Sequence, residues 1–298
     1  MSTVHNPTSE SVNTTAPVLW KQHVELLSAR GIPADFAVAH GLRSIDVSVE
    51  KARIEKYRLP DLFPHLPMHE GATGLLIPYH ATLDKVARAR IRVDQTSILV
   101  PGPTDGSHVG DHTVDLPRYV CQARPVSVVP YIPSEVFALA GDTSVPLFVV
   151  EAPLKALSLT ANGFPAIGLG GVLAGATDKT TLDSIGKLAL SKEMQRIKWT
   201  GRIAYVAFDA GLADNPLVAL GAARLALGLQ RAGADVRLVT IPFHHGQDAP
   251  VTDAESFTLY SKTDQGPDDF VARKGVAAFK LLVGSAVSAD PIARVVNA

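Results

Sequence analysis

Two acidic residues that directly follow apolar runs are the strongest candidates for chemistry in this chain. Glu151 follows VPLFVV, Asp209 follows AYVAF, and a helical pattern comes after each of them. In an open α/β sheet, ligands and catalytic groups collect at the carboxyl ends of the strands. Two acids placed at such ends predict a shared site, most simply one for a divalent cation.

The elements around these acids alternate between strand and helix. This alternation predicts a mostly parallel sheet flanked by helices. Pro153 suits the first turn of a helix, Asn215 or Asp214 can cap the next one, and Gly233 ends it. Strands are expected at 145–150, 166–169, 202–208 and 236–241, and helices at 153–162, 181–197, 216–232 and from 268 onward.

The first half of the chain predicts a smaller α+β region. Apolar residues at helical spacing over 18–44, interrupted at Gly31 to Pro33, predict a helical hairpin. It is a packing unit or, less simply, a DNA-reading helix-turn-helix, whose second helix would lack basic residues. A β-hairpin follows at 74–79 and 86–93, and the Gly, Pro and Asp residues of 97–115 predict a loop.

Three arginines lie on one face of the second hairpin strand. Arg88, Arg90 and Arg92 alternate with apolar residues, and side chains two positions apart share a face of a strand. The row is either a contact for nucleic-acid phosphates or an ordinary solvated strand face.

Composition excludes several classes of protein. Of 298 residues, 46% are hydrophobic and 19% charged, which suits a buried core, and the net charge is −1. That charge argues against a strongly basic nucleic-acid-binding surface, although it allows a local patch. The only cysteine is Cys121, so no cysteine zinc ribbon forms and a cytoplasmic location is expected. No apolar run approaches the roughly 20 residues that span a bilayer.

The order and spacing of several segments resemble a known family. The segments are VVEAPLKALSLTANGFPAIGLGGV, AYVAFDAGLADNPLVALGAARLALGLQRAGADV and GPDDFVARKG, with LLSARGIPADFAVAHGLRSI and the arginine-rich hairpin before them. Together they resemble Toprim-like domain proteins of phages and plasmids that are associated with primases. The resemblance runs from about residue 24 to about residue 275. It implies a Toprim-like (Rossmann-like) α/β domain at 141–298 behind the α+β region at 18–140, with 1–17 as a disordered tail.

The chain departs from the Toprim pattern at two positions. Ala152 stands where a glycine usually follows the glutamate, and Gly211 stands where a second aspartate is usual. Mg²⁺ usually takes one or two carboxylates together with waters and phosphate oxygens. The missing carboxylate therefore weakens the site without forbidding it. Asp214 is a candidate substitute, as is the acidic pair Asp268 and Asp269, unless one of that pair is simply a helix cap.

An active site of this type would carry out phosphoryl transfer. The resemblance implies Mg²⁺ (or Mn²⁺) on Asp209, helped by Asp214, Asp268 or Asp269. Glu151 would act as general acid or base or as a water-mediated metal ligand, and Lys155 would hold a phosphate. The structural alternatives are that Glu151 favours the positive end of the next helix dipole, that Asp209 caps a turn, and that Lys155 is a solvated lysine.

The sequence therefore favours a primase-related, Mg-dependent nucleic-acid-processing or replication-associated protein of a phage, plasmid or other mobile element. Its expected partners are nucleic acid, with DNA favoured over RNA, and a separate helicase or replication protein, since no Walker A motif is present. Two alternatives stay open. One is a degenerate Toprim-fold module that binds nucleic acid, a nucleotide or a replication partner. The other is a small-molecule α/β enzyme that binds a nucleotide.

Overall fold

The computed structural model describes ten stretches of the chain. They are residues 18–46, 73–82, 85–94, 97–100, 112–115, 119–121, 129–175, 189–210, 215–242 and 266–289. Three sequence predictions lie outside the described residues: the tail at 1–17, the position of Asp214, and the side chain of Arg88.

The predicted helical hairpin is present at the start of the described chain. Helix α1 covers Lys21–Ser28 and α2 covers Ala34–Ala39. Gly31 lies between them with φ of 67°, a left-handed conformation that favours glycine. Strand β1, Arg43–Asp46, follows α2, so the last two residues of the region predicted to be a helical hairpin lie in a β-strand.

The smaller sheet is antiparallel and contains the predicted β-hairpin. Strands β2 (Thr73–Thr82) and β3 (Lys85–Val93) pair directly, with β1 beside β2 and β6 (Tyr119–Cys121) beside β3. The prediction of a loop over 97–115 was wrong at both of its ends, because β4 (Ser97–Val100) and β5 (His112–Asp115) pair antiparallel. The Gly and Pro residues that suggested the loop lie between these strands, whereas β4 itself carries Ile, Leu and Val.

The larger sheet is mostly parallel, as the strand–helix alternation predicted. Its strands are β7 (Leu147–Val150), β8 (Ala166–Gly168), β9 (Ile203–Val206), β10 (Asp235–Leu238) and β11 (Val287–Ser288). The order is β11-β10-β9-β7-β8, and only β11 is antiparallel to its neighbour. The molecule is therefore a mixed α/β protein with a small antiparallel sheet in its N-terminal part.

The described stretches hold four further helices, which pack around the parallel sheet. They are α3 (Ser134–Ala138), α4 (Pro153–Ala161), α5 (Pro216–Arg231) and α6 (Pro267–Gly284), which is kinked at Gly275. Asn215 caps α5 by accepting a hydrogen bond from the Leu217 amide, as predicted. Within the segment expected to be helical over 181–197, the described residues hold only a short 3-10 turn at Met194–Arg196.

Two hydrophobic cores lie on opposite faces of the parallel sheet. Side chains alternate along β7, so Phe148 and Val150 join one core while Leu147 and Val149 join the other. The first core contains α4, α6, the α1–α2 hairpin and one face of β2, and the second contains α5. The N-terminal region and the parallel sheet therefore share the first core.

A buried hydrogen-bond network ties α1 to the antiparallel sheet. The Ser44 hydroxyl accepts from the Trp20 amide at 2.6 Å and lies 2.7 Å from His23 Nδ1. If Ser44 donates to Nδ1, the ring hydrogen lies on Nε2, which is 2.8 Å from Asp94 Oδ1. Thr73 donates to the other Asp94 oxygen at 2.7 Å. Burial opposes the ionised form, but the hydrogen bonds from Thr73 and His23 outweigh it, so the pKa of Asp94 is lowered.

Asp94→Asn should destabilise the protein by about 1–2 kcal/mol near neutral pH, because the amide loses one acceptor and the negative charge. Because the pKa of Asp94 is lower in the folded protein, its carboxylate stabilises the fold at pH values above the ordinary pKa of 3.8. This stabilisation is lost as the pH falls through the lowered pKa. The difference between wild type and variant should therefore shrink below about pH 4. Urea unfolding at several pH values measures it, with exposed Asp235→Asn as the control. A difference that does not change with pH would contradict this account.

Candidate functional site

The structure brings Glu151 and Asp209 together, as the sequence predicted. Strands β7 and β9 are parallel neighbours, with Val149 paired to Val206, so both acids lie beyond the same edge of the sheet. The Asp209 amide donates to Glu151 Oε1 at 3.2 Å. This contact joins the segments that follow the two strands and orients the Glu151 carboxylate.

Lys155 lies between the two acids. It stands in the first turn of α4, four residues after Glu151, and its ammonium donates to Glu151 Oε2 at 2.8 Å. The same ammonium donates to Asp209 Oδ1. The side chains of Lys155, Glu151 and Asp209 are 12%, 11% and 21% exposed. Lys155 is therefore not a solvated lysine but the ion-pair partner of both carboxylates.

Burial and neighbouring charges shift the pKa values of Lys155 and Asp209. Burial alone would lower the pKa of Lys155, but the charges of Asp209, Glu151 and Asp268 outweigh that effect, and the pKa is raised. Burial raises the pKa of Asp209 to about 7, with Glu151 adding to the rise and Lys155 opposing it. Burial and the neighbouring Glu151 carboxylate therefore leave Asp209 easier to protonate than an ordinary aspartate, even beside the Lys155 ammonium.

Asp268 is the third acid of the site and is fully buried at the start of α6. Its Oδ2 accepts from the Arg30 guanidinium. Its Oδ1 is also buried and has no hydrogen-bond partner among the described residues. Asp269 faces its own helix end instead and accepts from the Gly266 amide at 3.2 Å, which makes it a helix cap. Of the predicted acidic pair, Asp268 therefore lies near the other carboxylates, whereas Asp269 caps its helix.

Gly266 leaves open the space between these groups. A Cβ at this position would lie 2.4 Å from Asp268 Oδ1, 3.0 Å from Asp209 Oδ1 and 3.0 Å from Lys155 Cε. Asp268 Oδ1 and Asp209 Oδ1 therefore face a common point beside the Gly266 backbone. The residues form a cluster of three carboxylates and one ammonium, with oxygen atoms turned toward a small space.

Gly266→Ala should lower the stability by about 1–3 kcal/mol, since the added methyl group overlaps a buried carboxylate oxygen. The backbone conformation, with φ −83° and ψ 170°, is ordinary for alanine, so the effect would come from crowding alone. Gly141→Ala is the matched control, because a Cβ there meets nothing within 4 Å. Thermal unfolding of both variants tests this, and equal midpoints would contradict the described proximity.

The α1–α2 hairpin contributes Arg30, a site residue that the sequence did not reveal. The Arg30 carbonyl accepts from Ser158 Oγ at 2.6 Å, and the Gly31 carbonyl accepts from Asn162 Nδ2 at 2.9 Å. Both donors lie on or at the end of α4, so the turn between α1 and α2 is fastened to the helix that carries Lys155. The sequence predicted a turn at Gly31, but that turn did not indicate which residue Arg30 would contact.

The arginine row does not contact the carboxylates through any described hydrogen bond. Arg90 is half-buried, donates to the Gly170 carbonyl at 3.0 Å and lies 5.5 Å from the centre of the Tyr79 ring. Arg90 and Arg92 pair opposite Ile77 and Leu75, whose side chains belong to the first core. These two arginines are therefore not on a fully solvated strand face.

The described residues contain neither a ready metal-binding group nor a membrane-spanning helix. Within the described stretches, no group of three or more His, Cys, Asp or Glu side chains has a geometry ready to hold a metal ion. In the same part of the chain, no helix is both long enough and apolar enough to cross a membrane.

Known proteins share the fold of this chain. The family described as "Domain of unknown function (DUF3854)" matches residues 138–278. No curated protein matches the chain. One similar structure is that of the Aquifex aeolicus primase, which contains its zinc-binding and RNA polymerase domains. The TM-score is 0.53 and the sequence identity is 15%, and the match covers 90% of this chain and 57% of that chain. The DnaG catalytic core matches at TM-score 0.53 and 15% identity over 91% of this chain and 74% of that one. The chain thus spans little more than half the length of the Aquifex protein, and it has a fold similar to that of primase catalytic cores.

Proposed function

We propose that this protein is primase-related and processes nucleic acid with the help of Mg²⁺ or Mn²⁺. The observation that carries the proposal is the cluster of Glu151, Asp209 and Asp268 around Lys155, at the carboxyl ends of the strands of a primase-like fold. The Toprim-like sequence pattern supports the same assignment. Its phage or plasmid origin remains a prediction from that resemblance.

The residues present fit a divalent cation in their chemistry. Mg²⁺ and Mn²⁺ prefer oxygen ligands, and a few carboxylates together with water and phosphate oxygens satisfy them. Asp268 Oδ1 is a buried acceptor without a described partner, and it faces the same space as Asp209 Oδ1. Asp209 and Asp268 would hold the cation, with Glu151 nearby and Asp214 and Asp269 as the further candidates from the sequence. The bound cation would supply charge neutralisation for a transferring phosphoryl group.

Glu151 and Lys155 are the residues proposed to act on the substrate. Glu151 is held by the Asp209 amide through one oxygen and by Lys155 through the other. A carboxylate fixed in this way can take or give a proton at a nearby hydroxyl or water. Lys155 can present its ammonium to a phosphate oxygen as a point charge.

The arginine row is proposed to contact the nucleic-acid backbone. Arg90 lies against Gly170, just after β8, so its strand approaches the loop beside the parallel sheet. Arg88 and Arg92 share the strand face of Arg90 by the two-residue period. Phosphate contacts of this kind would make binding weaken as the salt concentration rises. A separate helicase or replication protein remains the expected protein partner.

Two assays test the proposal together. The purified protein is incubated with single-stranded DNA, ribonucleotides and Mg²⁺ or Mn²⁺, and the products are examined for new oligonucleotides and for cleaved DNA. Metal-dependent synthesis or cleavage is the expected result. DNA binding is measured in parallel by fluorescence anisotropy at two salt concentrations. Absence of product and of binding under all these conditions would overturn the proposal.

A second candidate is a non-catalytic module that binds nucleic acid, a nucleotide or a replication partner. The observation that favours it is the contact of Lys155 with both carboxylates, which satisfies them without a metal. Gly211 in place of the second aspartate points the same way. Nucleic-acid binding that persists in Glu151→Gln and Asp209→Asn, without product formation by any variant or by wild type, would support this module.

A further inference from the structure

We propose that Lys155 is a displaceable counter-ion: its ammonium holds the site while the metal is absent and leaves the carboxylates when a divalent cation binds. The inference deepens the proposed function and rests on it. It assigns Lys155 a regulatory role at the site in addition to any contact with substrate.

Lys155 occupies a carboxylate oxygen that a bound cation would need. Its ammonium bonds to Glu151 Oε2 and to Asp209 Oδ1. Asp209 Oδ1 is also the oxygen that faces Asp268 Oδ1 across the space beside Gly266. An ammonium and a divalent cation would therefore compete for the same carboxylate oxygen, and the two positive charges would repel each other in a site that is mostly shielded from water.

The buried carboxylate of Asp268 has room for a further partner. Asp268 is 0% exposed, and Arg30 satisfies only one of its two oxygens. The other oxygen is left without a described partner in the space that Gly266 keeps open. A buried acceptor without a donor is costly to keep, so its presence points to a ligand that Lys155 does not replace. A cation between Asp209 and Asp268 would satisfy it.

The Lys155 side chain can move away from the carboxylates while the elements around it stay in place. A lysine ammonium stands on a flexible four-carbon stem, so it can leave the carboxylates without movement of α4. The helix itself is fastened to the Arg30–Gly31 turn through Ser158 and Asn162. Arg30 pairs with Asp268 in the structure and would keep that contact when a cation binds. The displaced ammonium would remain within one side-chain length of the cation, where it can meet a phosphate.

Metal binding by Lys155→Met and Lys155→Gln, measured without nucleic acid, tests the inference. Calorimetry with Mn²⁺ gives the affinity, and thermal unfolding with and without Mn²⁺ gives an independent readout. Both neutral variants should bind Mn²⁺ at least about tenfold more tightly than wild type, because a nearby positive charge is removed. Their metal-free forms should unfold at lower temperature than wild type, and Mn²⁺ should raise that temperature by more than it does for wild type.

Two control variants test whether the change in Mn²⁺ affinity comes from the charge at position 155. One keeps that charge, and the other removes a lysine charge elsewhere. Lys155→Arg keeps the positive charge and should not bind Mn²⁺ more tightly than wild type. Lys280→Met removes an exposed lysine on α6 and should leave the affinity unchanged. If Lys155→Met does not fold without metal, Lys155→Gln and a refolding titration with Mn²⁺ give the same comparison.

The outcomes distinguish this inference from the proposed function. Wild type that binds Mn²⁺, with neutral variants that bind it equally or more weakly, would overturn the counter-ion role and leave the metal-dependent function standing. Absence of binding by wild type and by both neutral variants, with and without single-stranded DNA, would overturn the proposed function and this inference with it.

Discussion

Arg202→Met is expected to lower the free energy of unfolding by about 3 kcal/mol or more. The Arg202 guanidinium is fully buried, and its acceptors within the described part of the chain are all backbone carbonyls. Its acceptors are the carbonyl oxygens of Lys198, Val145, Leu139 and Ala140, at 2.9 to 3.1 Å. Methionine fills part of the volume but donates no hydrogen bond, so these carbonyls lose their common donor.

This destabilisation should be visible in urea unfolding followed by circular dichroism. The matched control is Arg237→Met on β10, which removes an arginine that is 39% exposed and pairs with Asp235 at the surface. That control should cost less than about 1 kcal/mol, as exposed ion pairs usually do. Similar losses for the two variants would show that Arg202 does not hold together the segments that precede β7 and β9.

Glu151→Gln and Asp209→Asn are each expected to lower the metal-dependent rate by a factor of about 100 or more. Glutamine at position 151 cannot exchange a proton, and asparagine at position 209 cannot offer a charged oxygen to a cation. Both substitutions nearly preserve the shape of the side chain. The loss should therefore appear in the rate and leave the fold intact.

The comparison uses Asp142→Asn as its control, because Asp142 is exposed and its side chain, among the described residues, accepts hydrogen bonds from Ser144 in its own turn. Rates with Mg²⁺ and with Mn²⁺ are measured for all variants alongside circular dichroism and DNA binding. A rate that survives in Asp209→Asn would remove this residue from the metal site. Loss of rate in Asp142→Asn as well would indicate a general effect on the preparation.

Local sequence signals were enough to predict the parallel sheet and its pair of acids. Pro153 and Asn215 mark helix starts, and the apolar runs before Glu151 and Asp209 are strands. Once the strands are parallel neighbours, their carboxyl ends must share an edge. Lys155 was also predicted as a site residue from its position four residues after Glu151, although its ion pairs with the two acids were not.

The remaining parts of the site depend on contacts between distant segments, which periodicity does not encode. Arg30 and Asp268 are 238 positions apart, and no local sequence pattern around either residue predicts that they form an ion pair. Gly266 contributes to the site because the Asp268, Asp209 and Lys155 side chains lie next to it, and not because it forms a turn. The pairing of β4 with β5 was missed for a related reason, since the Gly and Pro residues between the strands dominated the prediction for the whole segment.

The most direct test of a working metal site is a calorimetric titration of Mg²⁺ and Mn²⁺ into wild type and Asp209→Asn. Each protein is titrated alone and again with single-stranded DNA, because phosphate oxygens normally complete the ligand set of such a cation. The account predicts binding by wild type in at least one of these conditions and its disappearance in Asp209→Asn. Absence of binding by wild type at millimolar metal, with and without DNA, would contradict the account and leave a primase-like fold that serves recognition alone.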